Sequence, residues 1–150
     1  MSLEHYRTLV EELCLSAKID TPAYLVPRGC LNFNGTHLMI EYIEEMEILR
    51  STIGLAPFSP THHEHLYRTL LSCDYYSVSP WQPTFACHPE TGDIVMVFQI
   101  GLNTLQSGEE LVYMLLRQVD FATTLFSELT ESQATDMAPV PAGNPNIMLA

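Results

Sequence analysis

The apolar positions Leu3, Tyr6, Val10, Leu13 and Ala17 recur at alternating steps of three and four residues. That is one face of a helix, and it predicts an α-helix over 2–18, with Leu9 and Leu15 widening the stripe. Asp20-Thr21-Pro22 follows, and a residue before proline is pushed out of the α region, so the helix is expected to stop there. The period then falls to two. A short alternation at Leu31-Asn32-Phe33 runs into Asn34-Gly35, a strong hairpin signal because both central residues of the tight turn need positive φ. Strands are expected over 37–43 and 46–53, turning at Glu44-Glu45. In the first, Leu38, Ile40 and Tyr42 share a face, and Met39, Glu41 and Ile43 share the other. In the second, Met46, Ile48, Arg50 and Thr52 oppose Glu47, Leu49, Ser51 and Ile53.

Residues 54–60 connect to a second helix. Thr61 and Glu64 have capping-box spacing, and Leu66, Tyr67, Leu70 and Leu71 form the apolar stripe, which ends near Cys73 or Asp74. A loop over 75–83 carries Trp81 between Pro80 and Pro83. A hairpin follows, with arms over 84–88 and 93–100 around Pro89-Glu90-Thr91-Gly92. Its second arm is apolar on both faces, Ile94, Met96, Phe98 and Ile100 against Val95 and Val97. Such a strand wants cover on both sides. One side should meet a helix, and a second subunit is a natural cover for the other. Ser107 and Glu110 open the longest helix, over 107–129. The expected fold is therefore α+β, an antiparallel sheet with helices in the order α-β-β-β-α-β-β-α. Residues 1–130 form one domain. Residues 131–150, with three prolines and no basic residue, read as a flexible tail.

Composition narrows the function. Apolar residues make up 47% of the 150 and charged residues only 16%, which leaves apolar surface for a partner. The formal net charge is -12, and the six cations, Arg7, Lys18, Arg28, Arg50, Arg68 and Arg117, lie singly along the chain. Neutralising phosphates takes clustered Lys and Arg, so nucleic acid and anionic membranes are excluded as partners. No stretch approaches the ~20 apolar residues of a membrane span, and no apolar leader opens the chain. Cys14, Cys30, Cys73 and Cys87 form no CxxC pair and read as reduced thiols, with Cys14, Cys73 and Cys87 as small core residues.

Chemistry has little to stand on. His62, His63 and His65 cluster around Glu64, but a helical zinc pair usually sits at i and i+4. The cluster fits a solvated helix start better than a metal site, and no metal or cofactor is expected. Cys73 lies eight residues beyond His65, roughly 12 Å along a helix, too far for a dyad. Glu41, Glu44, Glu45 and Glu47 suit a solvated turn. No phosphate-binding glycine loop and no GxSxG elbow occurs.

The helix ending at Ala17, the strand pair LMIEYIEE and MEILRSTIG, and ETGDIVMVFQIG leading into SGEELVYMLLRQVDFATTLFSEL carry a resemblance. Over about residues 2–130 the chain resembles class I type III secretion chaperones, the group that includes the Tir chaperone. The resemblance implies a non-enzymatic homodimer in a bacterial cytoplasm. Its partner would be a secreted effector, whose N-terminal segment it holds extended, soluble and ready for export. Strand addition to a free sheet edge supplies the mechanism. Strand parity nominates Met39, Ile43, Leu49 and Ile53, with Leu9, for effector contact. It nominates Leu66, Tyr67, Leu70, Leu71, Val95 and Val97 for the dimer interface. Two other readings compete. One is a metal- or Cys-dependent enzyme on His62, His63, His65 and Cys73. The other is a regulatory adaptor on the same scaffold.

Overall fold

A computed structural model describes residues 2–19, 28–57, 64–75 and 82–136. Helix α1 spans Ser2–Ala17 and buries Tyr6, Leu9, Val10, Leu13 and Cys14. It ends before the proline signal. Lys18 takes φ 55°, the Ile19 N–H donates to the Cys14 carbonyl at 2.8 Å, and the Lys18 N–H donates to Leu15 at 3.4 Å. Those two bonds close a Schellman motif, which satisfies the last carbonyls of the helix.

Strands β1 (Arg28–Phe33) and β2 (Thr36–Ile43) meet at Asn34-Gly35, with φ 51° and 89°, as the hairpin signal requires. The Gly35 N–H also donates to Asn32 Oδ1 at 2.8 Å. A short 3-10 turn, Glu44–Met46, and Glu47 at φ 52° lead into β3 (Ile48–Ala56). Helix α2 spans Glu64–Tyr75, β4 spans Thr84–Cys87, and β5 spans Ile94–Gly101. A second 3-10 turn, Leu102–Thr104, precedes α3, Gly108–Asp136. All pairings are antiparallel, and the sheet runs β1-β2-β3-β5-β4. The expected element order is the observed one.

All three helices pack on one face of this sheet. Leu31, Leu38, Ile40, Tyr42, Leu49, Ile53, Met96 and Phe98 meet the buried side of α1 and Leu111, Leu115, Val119 and Ala122 of α3. Tyr6 stacks on Tyr42 at 5.2 Å between ring centroids. Ser51, the polar residue at the centre of that face, donates to Gln118 Oε1 of α3, which satisfies its hydroxyl. A second cluster joins Leu66 and Leu70 of α2 to Ile94, with Phe85, Phe126 and Leu129 around it.

The N-terminus of α3 is pinned to α1. The Ser107 hydroxyl accepts from the Glu110 N–H at 3.3 Å, the expected half of a capping box. Glu110 reaches one residue further back and accepts from the Gln106 N–H at 2.8 Å. The Gly108 N–H donates to Glu12 Oε2 at 2.5 Å, and a side chain at Gly108 would stand 2.3 Å from Glu12 Cβ. Close approach of two backbones fixes that glycine. The helix itself runs on to Asp136, past the expected end at 129, so residues 131–136 are helical and not tail.

Candidate functional site

The sheet's second face carries no helix among the described residues. Cross-strand partners share a face, so the register reads off its surface row by row. One row is Arg28, Glu41, Arg50 and Gln99. The next is Cys30, Met39, Thr52, Val97 and Thr84. The third is Asn32, His37, Gly54, Val95 and Ala86. Ile43 and Ile48 lie on the far side of the charged row.

Within the charged row, Glu41 Oε2 accepts from both Nε (3.2 Å) and Nη2 (2.5 Å) of Arg50. Arg28 turns away from this pair, its Nε directed at the Met39 sulfur at 3.0 Å. Beside the apolar rows a cavity of about 540 Å³ opens, lined by Cys30, His37, Met39, Thr52, Gly54 and Val95 among others. The β4–β5 turn forms its far rim. There His88 Nδ1 accepts from the Glu90 and Thr91 N–H groups, each at 3.3 Å.

The two sheet edges differ. On β4 the Phe85 N–H donates outward to both carboxylate oxygens of Asp74 on α2, at 3.0 and 3.1 Å. Desolvation raises the Asp74 carboxyl above its ordinary range, opposed by that backbone bond. On β1 no described strand or side chain lies along the outer edge. The two-residue turn makes Phe33–Thr36 the hydrogen-bonded closing pair, so alternation turns the backbone groups of Asn32, Cys30 and Arg28 outward.

Of the residues nominated for effector contact, Met39 and Ile43 sit half-buried on the open face. Leu9, Leu49 and Ile53 do not. Each is at most 1% exposed inside the core. The connection between β2 and β3 has an even length, Glu44 to Glu47, and pairs Ile43 with Ile48. An even connection sets odd positions of β2 beside even positions of β3, so Met39 faces with Thr52 and Leu49 turns to the helices. Leu9 is buried because α1 is wedged against both the sheet and α3, which widens its buried arc. The exposed leucine of that helix is Leu15.

The residues nominated for the dimer split three ways. Leu66 and Leu70 pack inward against their own chain, and Tyr67 is half-buried beside them. Leu71 is 66% exposed, as is, at 82%, Tyr75, which periodicity did not single out. Tyr75 is the i+4 neighbour of Leu71, and that spacing was the available signal. Val95 and Val97 lie on the open sheet face, away from α2, with Val95 already buried. They cannot join α2 in one surface.

His62, His63, Thr61 and Trp81 lie outside the described residues, as does the side chain of His65. Cys73 and Cys87 are exposed, against the expectation of core thiols, while Cys14 is buried and its thiol is pushed up by desolvation. Among the described residues no group of three His, Cys, Asp or Glu is placed to hold a metal, and no helix is long and apolar enough to cross a membrane.

The model of the Tir chaperone protein (CesT) family matches residues 28–125. In the ExsC–ExsE complex, a solved chain superposes with a TM-score of 0.67 at 17% identity, over 83% of this chain and 95% of that one. A chain of the HopA1–SchA chaperone–effector complex gives 0.59 at 16% identity, over 83% and 97%. A chain of the ExoT–SpcS complex from Pseudomonas aeruginosa gives 0.50 at 18%, over 77% and 90%. At these identities the likeness is one of fold. No curated protein matches the chain in sequence.

Proposed function

The chain belongs to the Tir chaperone protein (CesT) family, and on that footing we propose that it is an effector chaperone of type III secretion. The family match over residues 28–125 is the observation that carries this reading. The chaperone binds the N-terminal segment of a secreted effector in the cytoplasm of a bacterium and holds it extended. The protein acts by binding and performs no chemistry of its own.

The unpartnered outer edge of β1 supports strand addition as the mode of binding. An extended segment would use the outward backbone groups of Arg28, Cys30 and Asn32, each bond contributing a net ~0.5–1.5 kcal/mol. Met39, paired with Cys30 and one strand in from the edge, then lies beside the side chains of the incoming segment. The Asp74 carboxylate on the Phe85 N–H blocks β4 from the same use. The exposed side of α2, with Leu71 and Tyr75 beside Tyr67, serves the homodimer, which leaves the sheet face to the client.

The decisive experiment is capture of partners from the native cytoplasm, with the mass of each complex read by light scattering. The expected result is about twice 16.9 kDa plus one larger chain, held through a protease-sensitive N-terminal region. A stable monomer whose partners bind only as folded domains would overturn the reading in favour of an adaptor. Bound metal with loss of activity on changing His62 or His63 would favour an enzyme.

A further inference from the structure

The charge of the open face runs against the charge of the molecule. The chain carries -12 overall with six cations, yet two of the six, Arg28 and Arg50, stand in one cross-strand row that holds a single carboxylate, Glu41. That carboxylate is occupied by Arg50 through two bonds to one oxygen. Arg28 is exposed, on the edge strand, and forms no ion pair among the described residues, its Nε donating to the Met39 thioether. Charges beyond about 10 Å are screened, so the near field at the edge is that of Arg28 beside the Arg50–Glu41 pair.

Two residues along β1, Cys30 presents a small side chain to the same face, and the cavity of about 540 Å³ begins there. Its floor includes Gly54, where an added Cβ would meet only the His37 backbone oxygen and Cβ at 3.6 and 3.7 Å. A strand laid along β1 would place alternate side chains over Arg28, Cys30 and Asn32, all on the open face. We propose that the β1 edge selects an extended segment with an acidic side chain opposite Arg28 and bulky apolar side chains opposite Cys30 and Asn32. The acidic group pairs with Arg28, and the apolar groups pack on Cys30 and the β1 side of the cavity, with Met39 behind them. This specificity rests on the strand-addition reading above and gives the client its chemistry.

The probe is a set of fluorescent decapeptides with a Thr/Val host strand. Each carries Glu, Ala or Lys at one position and Leu or Ala at the second and fourth positions after it, with the reversed order alongside. Anisotropy is read with the full chain and with Arg28→Glu, whose fold is checked by circular dichroism. Glu should bind about two- to fivefold tighter than Lys, the span of a cross-strand charge pair. Arg28→Glu should invert that order. Leu to Ala at both apolar positions should lose about tenfold or more. A ranking that Arg28→Glu leaves unchanged, or a preference for Lys in the natural chain, overturns the assignment to Arg28 while leaving strand addition standing. No binding by any peptide overturns strand addition as well.

Discussion

Gly108 shows how closely single positions are held. A methyl group there would stand 2.7 Å from the Leu13 nitrogen and 2.3 Å from Glu12 Cβ. Gly108→Ala would gain helix propensity, but it must push α1 off the start of α3. Overpacking of this kind costs about 1–3 kcal/mol, and urea denaturation should show a lower midpoint with the slope unchanged. The cysteines make a second prediction at this scale. Cys30, Cys73 and Cys87 should react with iodoacetamide in the native protein, while Cys14, 2% exposed, reacts only after unfolding. Intact-mass spectrometry counts the adducts. The sequence cannot place a cysteine by its type alone. Cys14 lies on the periodic face of α1 and is buried. Cys73 and Cys87 have no such support, and propensity for the core misled there.

Elements were the most legible scale. Asn34-Gly35 announced its hairpin, the periods of α1 and α3 announced helices, and alternation along β2 sorted its faces correctly. Pairing between strands was less legible, since it hangs on the length of a connection. A 3-10 turn and a left-handed Glu47 set that length, and neither has a strong local signature. The tie between α2 and β4 was wholly hidden, because Asp74 meets Phe85 only through the fold. It carries a pH prediction. Burial raises the Asp74 carboxyl in the folded state, so ionisation of this group opposes folding where both states are charged. The cost is present at neutral pH and is relieved as pH falls through the folded value. Asp74→Asn keeps an acceptor for Phe85 and should be neutral to stabilising at about pH 7, the advantage fading as pH falls through the folded value. Asp74→Ala strands the N–H and should lie about 1–2 kcal/mol below Asp74→Asn at any pH. Urea curves of the three proteins across that range separate the two effects.

At the scale of the molecule, the surfaces divide the work. On the proposed homodimer through the exposed side of α2, Leu71→Glu with Tyr75→Glu should halve the mass seen by light scattering. Circular dichroism should stay unchanged, since both side chains are mostly exposed. Two copies each at -12 repel, so added salt should tighten the dimer of the natural protein. The exposed side of α2 was half legible. The α2 stripe was visible as apolar, but whether a leucine faces its own sheet or a neighbour depends on where the helix lands. Leu66 and Leu70 land on Ile94, which leaves Leu71 outside. The doubly apolar β5 called for a second cover on this face, which no described element supplies, and the face's charged row emerges only once the strands are aligned.

The difference between the two sheet rims also governs what the protein does when crowded. Fibre growth by edge pairing needs two sticky ends on every unit, one to be joined and one to pass the invitation on. A carboxylate seals one rim here at Phe85. Copies of this chain can therefore join only β1 to β1, so such a series stops at two, as a capped monomer ends a polymer. The protein can escort an aggregation-prone segment at high concentration without itself becoming a template.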